Sequence, residues 1–262
     1  MFNKKYYYVF KVQYLGYRFH GWQKQPKLKT VHLMIDRTLK YILGDQGFKT
    51  LGAGRTDAMV SAQEAAFELF LQKEPLENID EFLALFNHNL PQDIRALSIK
   101  KVDESFNIIK DSKLKEYLYM FAQGNKFHPF CAPLMTTILE PLDIELMKKG
   151  AQLFQGLHNF KTYCYKASDN GIYHREIITC ELVENTVLTA NFFPEQTYIL
   201  RVKGKGFGRN QIRLMMGALI KLGRGDMTLD EIVESLKPES TVVLEYIAPP
   251  SGLILNKIEF EE

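Results

Sequence analysis

Hydrophobic positions in the first hundred residues switch between a period near two and a period near 3.6. Residues 6–15 are rich in Tyr, Val and Phe and read as a strand. Val31, Met34, Ile35, Leu39 and Ile42 share one helical face, which predicts a helix over 31–43 closed by the following GDQG. Residues 48–51 form a short strand, and Ala65, Phe67, Leu69 and Leu71 alternate along another over 63–71. A helix from 79 to about 87 and the turn-then-strand NLPQDIRALSIKKV complete the order strand, helix, strand, strand, helix, strand.

The remainder repeats this theme with larger excursions. Strands are expected over 115–122, 173–183, 187–193 and 197–202, helices over 143–155, 209–222 and 228–236, and GLILNKIEF is a closing strand. Strands arranged as hairpin-like pairs, with helices between them, argue for α+β with antiparallel sheet rather than a doubly wound parallel sheet. The expected architecture is two βαββαβ-like halves, 1–104 and 105–262, dividing near 102–111.

Composition changes this picture little. A chain of 262 residues, 46% hydrophobic and 24% charged, is ordinary for a globular protein. No apolar run approaches the roughly 20 residues of a membrane span, so the expectation is a soluble, cytoplasmic chain with no removable signal and no membrane partner. Cys131, Cys164 and Cys180 match neither a zinc site nor a disulfide framework, and the six histidines form no metal-binding pattern. Net charge is only +2, but basic residues gather in RFHGWQKQPKLK (18–29) and RVKGKGFGRNQIR (201–213), interleaved with glycines and aromatics. That mixture suits phosphate contacts with base stacking on Phe19, Trp22 or Phe207, and equally a solvated basic face.

Candidate chemistry lies in three places. No GxxxxGK[ST] phosphate loop occurs, and GKGFG at 204–208 is not GxGxxG, so it reads as a close backbone approach to phosphate or as a tight turn. Arg213 stands in an otherwise apolar helical run. It needs a carboxylate or phosphate partner if buried, or else snorkels to water. The loop GAGRTDAMVSA (52–62) places Arg55 two residues before Asp57, behind two glycines. Alone it fits a strand connection capped by an aspartate, or an arginine wedge beside a carboxylate that meets a displaced base.

Taken together, the motifs resemble those of the tRNA pseudouridine synthase A family. GAGRTDAMVSA is similar to that family's GAGRTDAGVHA, and YLGYRFHGWQKQ to its YdGs.yhGWQ.Q, with TVHLMIDRTLKYILG following as the expected helix. LPQDIRA, KEYLYMF, GLHNFKTY, HREI, GFGRNQIRLMMGALIKLGRG and APPSGLILNKIEF each resemble a family segment, in order, from about Tyr6 to Phe260. The resemblance implies an isomerase that converts uridine to pseudouridine in structured RNA, in the anticodon stem-loop of tRNA, with no cofactor or metal. It implies ferredoxin-like halves around a continuous antiparallel sheet, a cleft between them, and a homodimer that grips one RNA. Asp57 matches the catalytic aspartate, acting as nucleophile or as a base at the sugar. Arg55 matches the arginine that enters the stack as the uridine flips out. Tyr117 matches the tyrosine that packs on uracil and assists proton transfer, Arg213 the partner of the carboxylate, and Leu253 an apolar pocket position. Arg18, His20, Trp22, Lys24, Lys203, Lys205 and Arg209 become candidate RNA contacts.

Two departures stand out. Met59 and Ser61 replace the family's Gly and His, and the usual FHaR segment is here FNIIK. A bulkier loop and a lost basic residue point at the substrate rather than the chemistry, as in a paralogue acting on ribosomal RNA. Rival readings are a non-catalytic RNA chaperone on the same scaffold and an RNA methyltransferase using GKGFG.

Overall fold

The computed structural model describes residues 5–168 and 170–260; the outermost residues of the two expected halves, 1–4 and 261–262, lie outside the described residues. The fold is mixed α+β with a large, mostly antiparallel sheet. It divides into two compact units, Met1–Lys113 with Leu255–Glu262, and Leu114–Ile254.

The first unit runs β1 (Lys5–Tyr14), α1 (Val31–Leu43), β2 (Phe48–Gly52), β3 (Ser61–Gln72), α2 (Ile79–Asn89) and β4 (Ile94–Val102), the order the hydrophobic periods predict. β1 lies between β3 and β4, antiparallel to both, and β2 pairs with the far side of β3. Phe10 of β1 faces Phe67 of β3 across the ladder and stacks on it at 4.7 Å, while Phe86 of α2 meets Phe10 edge-on at 5.6 Å. Val31, Ile35 and Leu39 of α1 are fully buried, so the apolar stripe read from sequence is the helix's core face. Thr30 caps α1 by accepting from the Leu33 N–H, and Gly44 ends it at φ 58°.

The second unit contains β5 (Ser112–Gln123) from Leu114 onward, β6 (Thr136–Ile138), α3 (Ile144–Gln152), β7 (Gly156–Asn159), β8 (His174–Glu184), β9 (Tyr198–Gly204), α4 (Gln211–Arg224) and α5 (Leu229–Ser235). The closing strand β10 (Leu253–Phe260) begins in this unit and continues in the first. β9 lies between β5 and β8, antiparallel to both; β7 extends β8, and β6 pairs with β5 in parallel. α4 has 11 of its 14 residues buried. Gly150 of α3 lets the two helices close up, since a Cβ there would stand 3.0 Å from Leu219 Cδ2.

One expected strand is absent. Residues 187–193 form bends and turns, because the Asn185 side chain takes over the local backbone. Asn185 Oδ1 accepts from the Val187 and Leu188 N–H groups, and its amide donates to the Leu188 carbonyl and to Thr197 Oγ1. The apolar residues of this segment still find a core: Leu188, Phe192 and Phe193 pack against Leu118, Met120, Ala122 and Ile199. Cys131 and Cys180 are buried and Cys164 is half-buried, all as free thiols. Burial pushes the Cys131 and Cys180 thiols upward. Among the described residues, no helix is long and apolar enough to cross a membrane.

Candidate active site

The loop from β2 to β3 is built against the segment that follows β1. The Trp22 N–H donates to the Thr56 carbonyl at 3.1 Å, and the Met59 N–H donates to the Phe19 carbonyl at 3.0 Å. Side chains add to this: the Tyr14 hydroxyl lies 2.9 Å from Thr56 Oγ1, and Ser61 Oγ accepts from the Gly16 N–H at 2.9 Å. Such close seating requires glycine at 21, where φ is 83° and a Cβ would stand 2.6 Å from the Thr56 oxygen. Asp57 is half-buried and Arg55 exposed. The Asp57 carbonyl accepts from the Val60 N–H at 3.2 Å, which closes a turn after the aspartate. Met59 has φ 67° while Ala58 does not enter the positive region, the signature of a type II turn. This is a backbone shape that glycine adopts most easily, and this chain adopts it with methionine.

The other candidates lie in the second unit. Tyr117, on β5, is half-buried and its ring meets Phe207 edge-on at 5.3 Å. Phe207 belongs to the GKGFG turn, where the Gly208 N–H donates to Gln211 Oε1 at the start of α4. Arg213 is half-buried; its Nε donates to the Ala248 carbonyl at 2.7 Å and its Nη1 to Asn210 Oδ1 at 3.3 Å. Leu253 is 6% exposed and follows the tight turn Pro250–Gly252. A Cβ on Gly252 would stand 2.7 Å from the Met120 carbonyl, so glycine seats that turn on β5. The Tyr119 hydroxyl fixes it further by donating to the Pro249 carbonyl at 2.8 Å.

The candidate RNA contacts sort by exposure. Arg18 pairs with Asp93 at 2.7 Å, and Lys24 pairs with Asp36. His20, Lys205 and Arg209 are exposed, and Lys203 stands 3.6 Å from Glu116. Phe19 and Trp22 are each 2% exposed; their ring faces are committed to packing, and of the three aromatics Phe207 is the one that is only half-buried. Trp22, Lys24, Lys49, Gly54, Arg55 and Ile109 border a groove of about 610 Å³ along the outer side of β2. The sequence reading missed three residues at this groove, His32, Asp36 and Thr50, which are hydrogen-bonded together behind the loop. A histidine and an aspartate four apart on a predicted helix were the available signal. Among the described residues, no group of three or more His, Cys, Asp or Glu gathers to hold a metal ion.

Comparison with known proteins places these features in context. A family model described as tRNA pseudouridine synthase matches residues 151–261. Over 249 residues the chain is 32% identical to tRNA pseudouridine synthase A of Thermoanaerobacter sp. (strain X514), covering 94% of this chain and 96% of that one. It is 29% identical to tRNA pseudouridine synthase A of Dictyoglomus thermophilum, over 95% of this chain and 98% of the relative. It is also 29% identical to tRNA pseudouridine synthase A 2 of Bacillus cereus (strain ATCC 10987 / NRS 248), over 97% and 99%.

Proposed function

The chain belongs to the tRNA pseudouridine synthase A family and is a tRNA pseudouridine synthase, an isomerase; from that premise we propose that it acts on the anticodon stem-loop through Asp57. The reaction breaks the bond from the ribose C1′ to uracil N1, turns the base, and joins C1′ to C5, whose proton then leaves. Asp57 carries the step at the sugar, either by adding to C1′ or by removing a sugar proton. Arg213 is the cationic partner of this carboxylate in the reaction, Tyr117 stacks on the loosened uracil, and Leu253 contributes apolar lining. Arg55 fills the gap left in the RNA stack, offsetting an unstacking cost of a few kcal/mol. Arg18, His20, Lys24, Lys203, Lys205 and Arg209 contact RNA phosphates, with Trp22 supporting the loop from beneath. The protein works in the cytoplasm as a homodimer.

The observation that carries this reading is the loop itself. Backbone hydrogen bonds from Trp22 and Met59, and the close approach of Gly21, fix the residues on both sides of Asp57. A carboxylate whose backbone is held this rigidly is preorganised for reaction rather than left to sample solvent.

The test is site-resolved pseudouridine mapping on tRNA and ribosomal RNA with wild-type protein and Asp57→Ala. Modification in the anticodon arm that disappears in Asp57→Ala is the expected result. Arg55→Ala is expected to retain the chemistry at a rate reduced about 10- to 100-fold, the cost of unaided unstacking. Modification that persists in Asp57→Ala would remove the residue from its role, and modification only in ribosomal RNA would overturn the target.

A further inference from the structure

Beside the loop that carries Asp57, at the edge of the groove, lies a small polar cluster with a buried histidine and threonine, and Trp22 packs against it. His32 is 6% exposed and Thr50 is 8% exposed. Thr50 Oγ1 lies 2.5 Å from Asp36 Oδ1 and donates to it, while Lys24 Nζ takes the other carboxylate oxygen. With its one proton committed, Thr50 Oγ1 must accept from His32 Nε2, 2.7 Å away. The hydrogen-bond direction therefore places a proton on Nε2, and burial, which lowers the His32 pKa, favours the ring with Nδ1 unprotonated. Its Nδ1 is buried with no hydrogen-bond partner. Folded chains rarely leave such an acceptor unmet, so the ring has a use beyond filling space.

That use is visible in what the ring touches. His32 stacks on the Trp22 indole at 5.7 Å with an interplanar angle of 26°. The indole occupies the space that a Cβ on Gly52 would need, so Trp22 abuts the start of the loop. The Trp22 N–H donates to the Thr56 carbonyl, and the Trp22 carbonyl accepts from the His32 N–H, each at 3.1 Å. One residue thus links the imidazole to both ends of the stretch 52–56. Asp57 is the next residue along.

We infer that His32 is a positioning residue for pseudouridine formation: pinned by Thr50 and Asp36, it sets the orientation of Trp22 and, through it, the backbone that presents Asp57. The inference rests on Asp57 being the reacting carboxylate. His32 is 6% exposed and its side chain bonds to Thr50 rather than to Asp57 or Arg55, so its effect belongs to the rate at saturating RNA and not to RNA affinity.

The experiment compares His32→Gln, His32→Phe and Thr50→Val with wild type in the full chain, measuring kcat and KM for pseudouridine formation in tRNA. Gln keeps an N–H donor toward Thr50; Phe keeps the stacked ring and loses the donor; Thr50→Val removes the acceptor from the other side. Expected is a kcat lower by about 10- to 100-fold in His32→Phe and Thr50→Val, as for small misplacements of a reacting group. KM should stay within about twofold, and His32→Gln should recover most of kcat. Thermal unfolding of each variant confirms that the folded protein is being assayed. His32→Phe with wild-type kcat would overturn the inference, as would equal losses in Gln and Phe, which indicate packing alone. Absence of pseudouridine with wild-type protein, or its persistence in Asp57→Ala, would instead strike at the reading of Asp57.

Discussion

Met59 occupies the third position of a type II turn at φ 67°, a region in which a side chain costs roughly 1–2 kcal/mol over glycine. Methionine tolerates this because it is unbranched at Cβ. Met59→Val, which adds a branch at that carbon, is expected to lower stability by about 1–2 kcal/mol and to slow pseudouridine formation, read by denaturant unfolding and by initial rates. The loop's identity was legible in the sequence, since GAGRTD with its arginine and aspartate announces itself as a motif. Its support was not. His32 and Asp36 are spaced as an ordinary surface pair on a helix, and only the partner across the chain, Thr50, joins them into one hydrogen-bonded cluster. Trp22 shows the converse: an aromatic in a basic segment reads as a stacking surface, yet its ring is enclosed by His32 and Gly52.

At the level of elements, local rules succeeded wherever period and cap agreed. α1 begins where its apolar period begins and ends where GDQG closes it, and the structure adds Thr30 as its N-terminal cap. α5 is bounded by a capping box, in which Thr228 Oγ1 accepts from the Glu231 N–H and the Glu231 carboxylate accepts from the Thr228 N–H. Seven residues make a short helix that owes much to its cap, so Thr228→Ala is expected to cost about 1 kcal/mol in chemical denaturation. Activity should be unchanged. The failures have causes of two kinds, one local and one distant. Residues 187–193 carry a strand-like composition, but Asn185 satisfies the neighbouring backbone groups before a ladder can. β6 is three residues long and exists through parallel pairing of Thr136 with Phe121, a distant contact that no local pattern encodes.

For the molecule as a whole, two buried titratable groups pull stability in opposite directions with pH. Burial lowers the His32 pKa, against the attraction of Asp36 and alongside the repulsion of Lys24, so the unfolded chain binds the proton first. Stability from neutral His32 is present above about pH 6.5 and is lost as pH falls below it. Glu68 is 1% exposed with Oε1 unpartnered, and burial raises its pKa above 4.5. Here the native chain binds the proton first, so stability is lost as pH rises through the folded value. Unfolding free energies measured from pH 4 to 8 should therefore have a less positive slope in His32→Gln and a more positive one in Glu68→Gln. One proton changes that slope by at most about 1.4 kcal/mol per pH unit. The alternation of strands and helices made the α+β class legible from the sequence, because hydrophobic period survives any arrangement of the sheet. The thiols have a practical consequence. Cys131 and Cys180 are enclosed and raised in pKa, whereas Cys164 is half-buried, its sulfur 3.3 Å from where a Cβ on Gly208 would stand. A maleimide dye added to the native protein will therefore report from one place beside the glycine-rich turn, giving a fluorescence signal for RNA docking without an engineered label.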